Sequence, residues 1–168
     1  MVLMIGGVLL VGVVGAVMAT GGALAIAGAQ TAADAQSSLV EDFSYPGADV
    51  VWEQRNIRVI RGDGRLVMTT CGSPGLIEVR RSNATLDKDV AWRGHYCFKA
   101  TGPSGRLEVE IPDTFQFNGL AERRVDVVAK VDDKIENKSG VKDIWTGIGV
   151  ADDQEGKGPA ILLEIKVS

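Results

Sequence analysis

The chemistry open to this chain starts from one histidine and two cysteines. His95 is the sole histidine, so any Ser-His-Asp or Cys-His mechanism must run through it. No serine framed as Gly-x-Ser-x-Gly accompanies it. It shares an alternating run with Tyr96 and Phe98 and reads as an ordinary strand-face residue, so catalytic residues are expected to be none. Cys71 and Cys97 would offer zinc three ligands together with His95 if both thiols stayed reduced. In an oxidising compartment the even count predicts a Cys71–Cys97 disulfide instead. Closing a loop of about 27 residues this way stabilises by roughly 3 to 4 kcal/mol on chain-entropy grounds.

Acidic and aromatic residues supply the other candidates. The run Asp152-Asp153-Gln154-Glu155-Gly156 clusters hard oxygen donors, so Asp152, Asp153 and Glu155 form a candidate calcium site, with Asp132-Asp133 or Asp143 as further donors. The alternating acids and distal glutamate of an EF-hand are absent, and a solvated turn is the competing reading; no other cofactor is expected. Trp92 and Trp145 lie in polar surroundings and form a candidate glycan platform, a flat ring stacking on a pyranose while polar neighbours bond its hydroxyls. Trp52 is expected in the core. Glu108, Glu110, Asp152 and Glu155 are the carboxylates that a glycoside hydrolase would need as a pair about 5 to 9 Å apart, and nothing in their spacing brings two together. Arg61-Gly62-Asp63 spells an adhesion tripeptide, but Gly62-Asp63-Gly64 already has a reason as a tight turn. Gly147-Ile148-Gly149 lacks the third glycine of a dinucleotide site. Asn83-Ala84-Thr85 and Asn137-Lys138-Ser139 fit glycosylation sequons.

Where such groups would work is written in the opening of the chain. Met1 to Ala33 carries no Asp, Glu, Lys or Arg, and the apolar stretch 1–29 is long enough, at about 1.5 Å per residue, to cross a bilayer of roughly 30 Å. Small residues at Ala27-Gly28-Ala29, and again at Ala33-Asp34-Ala35, suit a signal-peptide cut. The expectation is a cleaved export signal and a secreted protein. The alternative is a membrane anchor left uncleaved, favoured by the length of the run and by small residues four apart at Gly15, Ala19, Ala23 and Ala27. No basic residue precedes the run, so the positive n-region is missing. The 168-residue chain has a formal net charge of −4, with bases interspersed among acids, and a nucleic-acid surface is excluded.

Residues 30–39 are small and polar and read as a flexible leader; residues 40–168 are expected to be one domain. Tyr45-Pro46-Gly47 punctuates the chain, and Ala48, Val51, Trp52 and Arg55 share one helical face, predicting a two-turn helix over 48–55. The period then changes to two. Ile57 and Val59, then Leu66 and Met68 beyond the glycine turn, read as a hairpin. Ile77 and Val79, then Tyr96, Phe98 and Ala100, then Leu107, Val109 and Ile111 form further alternating rows. Val125, Val127, Ala129 and Val131 precede an Asp132-Asp133 turn, and Ile161, Leu163, Ile165 and Val167 close the chain. Seven to nine short strands with Gly, Pro and Asp turns predict an all-β fold, an antiparallel jelly-roll-like β-sandwich with one short N-terminal helix after the signal or anchor helix.

Tyr45-Pro46-Gly47-Ala48, the Gly62-Asp63-Gly64 turn leading to Cys71, the run Tyr96-Cys97-Phe98-Lys99-Ala100-Thr101-Gly102 and the closing Leu162-Leu163-Glu164-Ile165 together resemble small secreted proteins of filamentous actinobacteria of the Streptomyces type. The resemblance spans most of the exported part and implies a Gram-positive, extracytoplasmic setting. It carries no catalytic residues across. The expected function is non-catalytic: a binding or structural role at the cell envelope or in the medium, with a cell-wall or extracellular glycan or a protein as partner. The alternative is a carbohydrate-binding module or a carboxylate-based glycoside hydrolase.

Overall fold

The computed structural model describes residues 44–141, 144–152 and 156–168. The expected signal or anchor (1–29), the leader (30–39), residues 40–43, and Asp143, Asp153 and Glu155 lie outside these described residues. The chain divides into two units, Met1–Leu39 and Val40–Ser168, and everything below concerns the second.

Gly47, at φ 77°, turns the chain into helix α1 (Ala48–Arg55), and Asn56, at φ 51°, ends it with its N–H on the Trp52 carbonyl. Asn tolerates this left-handed cap better than most residues. The helix has no fully buried residue; Val51 packs against the core. Trp52 is a correction to the sequence expectation. It is 47% exposed and lies under the Arg58 guanidinium, 5.1 Å from the ring centroid, because the face that meets the sheet is centred on Val51 and Arg55.

Beyond α1, apart from a 3-10 turn at Gly149–Ala151 and the connecting loops, the described part is antiparallel strand: β1 (Arg58–Gly62), β2 (Leu66–Thr69), β3 (Ile77–Arg81), β4 (His95–Ala100), β5 (Gly105–Asn118), β6 (Val125–Val131), β7 (Lys134–Gly140), β8 (Trp145–Gly147) and β9 (Ala160–Val167). They form one hydrogen-bonded sheet in the order β2-β4-β3-β5-β9-β6-β7, with β1 and β8 also on β5. β5 is the hub. Its first half pairs with β1 and β9, and its second half with β3 and β8. The change of partners coincides with register shifts around Ile111 and with Asp113 at φ 54°, a bulge of the kind that bends a strand.

Two expectations are revised by this pairing. Residues 57–68 do not make a hairpin: β1 pairs with β5, and β2 pairs with β4. The glycine turn sends the chain from one half of the sheet to the other. Asp63 fastens it there, its carboxylate accepting from the Arg65 and Arg106 N–H groups and its own N–H donating to the Arg106 carbonyl. In β9 the buried row is Ala160, Leu162, Ile165 and Val167, since register slips by one residue between Leu162 and Glu164 opposite β6. One extra residue moves every later side chain to the other face. Asp132 and Asp133 do form a tight turn, with φ 47° and 65°, joining β6 to β7.

One core cluster takes Leu66, Ile77, Val79, Tyr96, Phe98 and Phe117 from one half, and Val109, Ile111, Val125, Val127 and Ile165 from the other. Each such side chain fully removed from water stabilises by about 1.5 to 3 kcal/mol. Among the described residues no helix is long and apolar enough to cross a membrane.

Candidate functional site

Side chains directly opposite in neighbouring strands share a face, so the register across β8, β5, β3 and β4 determines which residues meet. Trp145 opposes Asn118, Asn118 opposes Glu78, and Glu78 opposes Cys97. In the adjacent row Gly147 opposes Gln116, Gln116 opposes Arg80, and Arg80 opposes His95. The alternating partners Phe117, Val79, Tyr96 and Phe98 are wholly buried, so both rows lie on the outer face. Three strand spacings of about 4.8 Å make this face roughly 14 Å wide from β8 to β4.

Its centre is a charged and aromatic cluster. Glu78 Oε1 accepts from Arg80 Nε at 3.0 Å and lies 2.7 Å from His95 Nδ1. The Arg80 guanidinium stacks on Trp145, 3.9 Å from the ring centroid, which leaves its plane fixed and its Nη1 and Nη2 without a hydrogen-bond partner among the described residues. The Trp92 ring stands edge-on to His95 at 6.0 Å. Beside the cluster opens a concavity of about 570 Å³, lined among others by Gly72, Ser73, Glu78, Trp92, Asn118 and Leu120. Asn118 Oδ1 is buried there without a hydrogen-bond partner. Gly72, at φ 101°, holds a backbone conformation that strains any other side chain, and a Cβ there would stand 3.0 Å from the Trp92 ring.

Trp92 is placed by a buried ion pair that also ties α1 to the sheet. Arg55 donates from Nε to Asp87 at 2.9 Å and from Nη2 to the carbonyls of Trp92 and His95 at 3.0 and 2.7 Å. Asp87 in turn accepts from the Asp89 and Gly94 N–H groups, and Asp89 accepts from the N–H groups of Ala91 and Trp92. Burial works against ionisation of Asp87, but the Arg55 guanidinium and the two N–H groups outweigh it and hold the carboxyl below its usual range.

Cys71 and Cys97 form a disulfide with Cα atoms 5.3 Å apart. It lies under the concavity, of which Cys97 is part of the lining. A disulfide of this kind points to an oxidising compartment and removes the zinc option. The two tryptophans proposed as a platform both border the outer face, but in different ways. Trp92 lines the concavity, whereas one face of Trp145 is covered by Arg80.

The other candidates are scattered. Glu108 is bound by Arg61 at 2.7 and 3.1 Å, an arrangement that holds its carboxyl below the usual range chiefly through that hydrogen bond; Glu110 faces Arg58. Asp152 accepts from Lys138 and Lys157, which hold its pKa down to about 2. These carboxylates share no binding partner, and Asp153 and Glu155, the other two residues of the candidate calcium set, lie outside the described residues. In the tripeptide Arg61-Gly62-Asp63 both charged groups are occupied, by Glu108 and by the turn backbone. His95 makes no hydrogen bond to a serine, threonine or cysteine side chain among the described residues.

Glu78, Arg80, Asn118, Arg55 and Asp87 had no motif to announce them. The alternation of Ile77 and Val79 does put Glu78 and Arg80 on the outer side of a strand; what sequence withholds is that β3 lies between β4 and β5, and so between the two tryptophans. No protein-family model matches this chain, and no curated protein matches it either.

Proposed function

We propose that this chain is an exported, non-catalytic binding protein acting at the cell envelope or in the medium, and that its ligand is a carbohydrate held on the outer face of β4, β3, β5 and β8. The observation that carries the reading is the concavity in which Trp92, Glu78 and Asn118 converge. An aromatic wall with a few fixed polar groups is what sugar recognition asks for. The opposing feature is a second outer face, formed by β1, β5, β9 and β6, where Arg61, Arg106 and Lys166 neutralise Glu108 and Glu164, and Arg124 neutralises Asp126.

Export is supported by the uncharged opening and by the disulfide; a secreted form is the main reading and a form anchored by residues 1–29 the alternative, in an actinobacterial setting. The sharing of β5 between two halves with one core supports a jelly-roll-like sandwich. The non-catalytic reading is supported by the site chemistry. Among the described residues Glu78 is the one carboxylate lining the concavity, it is held by Arg80 and His95, and both cysteines are spent in the disulfide, so neither a carboxylate pair nor an activated thiol lines the concavity among these residues. Screening the exported protein against a glycan array tests this. Wild type should bind at least one glycan, and Trp92→Ala should lose about tenfold or more in affinity, the scale of a lost stacking contact. Undiminished binding by Trp92→Ala would move the site elsewhere.

A further inference from the structure

Arg80 sharpens the ligand class. Its guanidinium is 3.9 Å above Trp145 and tethered through Nε to Glu78, so the planar group is oriented while its Nη1 and Nη2 edge makes no hydrogen bond to any described residue. The side chain is 33% exposed, which leaves that edge within reach of a ligand. A fixed guanidinium edge matches the two oxygens of a carboxylate and loses little entropy in binding them. The charge around it points the same way. The outer-face positions of β2, β4, β3, β8 and the Thr114–Asn118 half of β5 carry one acid, Glu78, and two bases, Arg80 and Lys99, in a chain with 22 acids and 18 bases.

We infer that the site takes a carboxylate-bearing sugar, the sugar ring against Trp92 and its carboxylate on the Nη edge of Arg80, with the Asn118 amide as a further polar partner in the concavity. This inference rests on the carbohydrate reading above and adds the acidic group to it. Glycan is favoured over an acidic peptide because the concavity next to Arg80 presents an aromatic wall and an amide rather than an unpaired strand edge.

The test uses polygalacturonate and its fully methyl-esterified form, in which a methyl group neutralises each carboxylate, with polyglutamate as a third probe, all at about 0.15 M salt so that unspecific attraction is screened. Wild type should bind polygalacturonate about tenfold or more tighter than the ester. Arg80→Gln should erase that preference, Arg80→Lys should restore little of it because the planar edge is gone, and Arg58→Gln, which removes a guanidinium stacked on Trp52 on a different part of the surface, should leave it intact. Circular dichroism on each variant confirms folding. Equal binding of the acid and ester forms would overturn the carboxylate assignment and leave the carbohydrate reading standing. Binding of polyglutamate alone, lost in Arg80→Gln, would overturn the carbohydrate reading and keep the anion subsite. Binding of none of the three overturns the carboxylate assignment, and the glycan array then decides the carbohydrate reading.

Discussion

At the scale of single residues, the arrangement depends on Asp87 more than on any group that would touch a ligand. Its side chain is fully buried, its partner Arg55 is 12% exposed, and between them they fix both carbonyls that flank the Trp92 loop. Removing one member of such a pair strands the other charge away from water, a much larger effect than losing a surface ion pair. Asp87→Ala should therefore cost about 3 to 5 kcal/mol of stability, read as the drop in urea midpoint at unchanged slope. A loss below about 1 kcal/mol would mean that water replaces the carboxylate and that Arg55 is not confined as its contacts imply. The functional counterpart is that the same variant should also blunt glycan binding, since Asp89 and Trp92 lose their common anchor.

At the scale of elements, the disulfide does for one wall of the concavity what Asp87 does for the other. Cys71 lies 26 residues before Cys97 and pins the segment that begins Cys71-Gly72-Ser73 onto β4. Cys71→Ala with Cys97→Ala should lose roughly 3 to 4 kcal/mol and weaken sugar binding together, measured by urea unfolding and by titration with the best array ligand; a lower midpoint with unaltered affinity would show the wall is held by packing alone. The elements themselves were largely readable beforehand. The α1 limits follow from the Tyr45-Pro46-Gly47 punctuation and the spacing of Ala48, Val51, Trp52 and Arg55, all local signals. β3 and β6 follow from strict alternation, because each buries one face; β4 follows from the row Tyr96, Phe98 and Ala100, with Cys97 buried on the other face by its disulfide. β7 was not readable, since Lys134, Glu136 and Lys138 alternate with Ile135, Asn137 and Ser139 at the sheet edge and no face is consistently apolar. Nor was the pairing of β1 and β2 readable: a Gly-Asp-Gly turn looks the same whether it closes a hairpin or carries the chain across to another half. For the site, Trp92 and Trp145 were legible as residue types, whereas Glu78 and Arg80 became part of it only through the non-local register that sets β3 between β4 and β5.

At the scale of the whole molecule, stability comes from the shared core and not from the charge pairs that cover the sheet. Exposed pairs such as Arg61 with Glu108 are screened by water and contribute little, whereas the core joins both halves through β5. Tyr96 sits inside that core with no exposed surface, donating its hydroxyl to the Arg55 carbonyl at 3.3 Å under the Arg55 guanidinium. Burial pushes its pKa up to about 12, more than a contact with Arg81 pulls it down. The folded state therefore favours the neutral phenol. The stability this adds is complete below the ordinary phenol value of about 10 and is lost as pH rises toward about 12. In Tyr96→Phe, which cannot ionise, the loss from this source vanishes while the titration of lysines is unchanged. The stability difference between wild type and Tyr96→Phe should accordingly stay constant up to about pH 10 and then move in favour of Phe, as measured by urea midpoints at stepped pH. A difference that stays flat to about pH 12 would mean that the phenol ionises alike in the folded and unfolded chain, and that Tyr96 is not sealed in the core that joins the two halves.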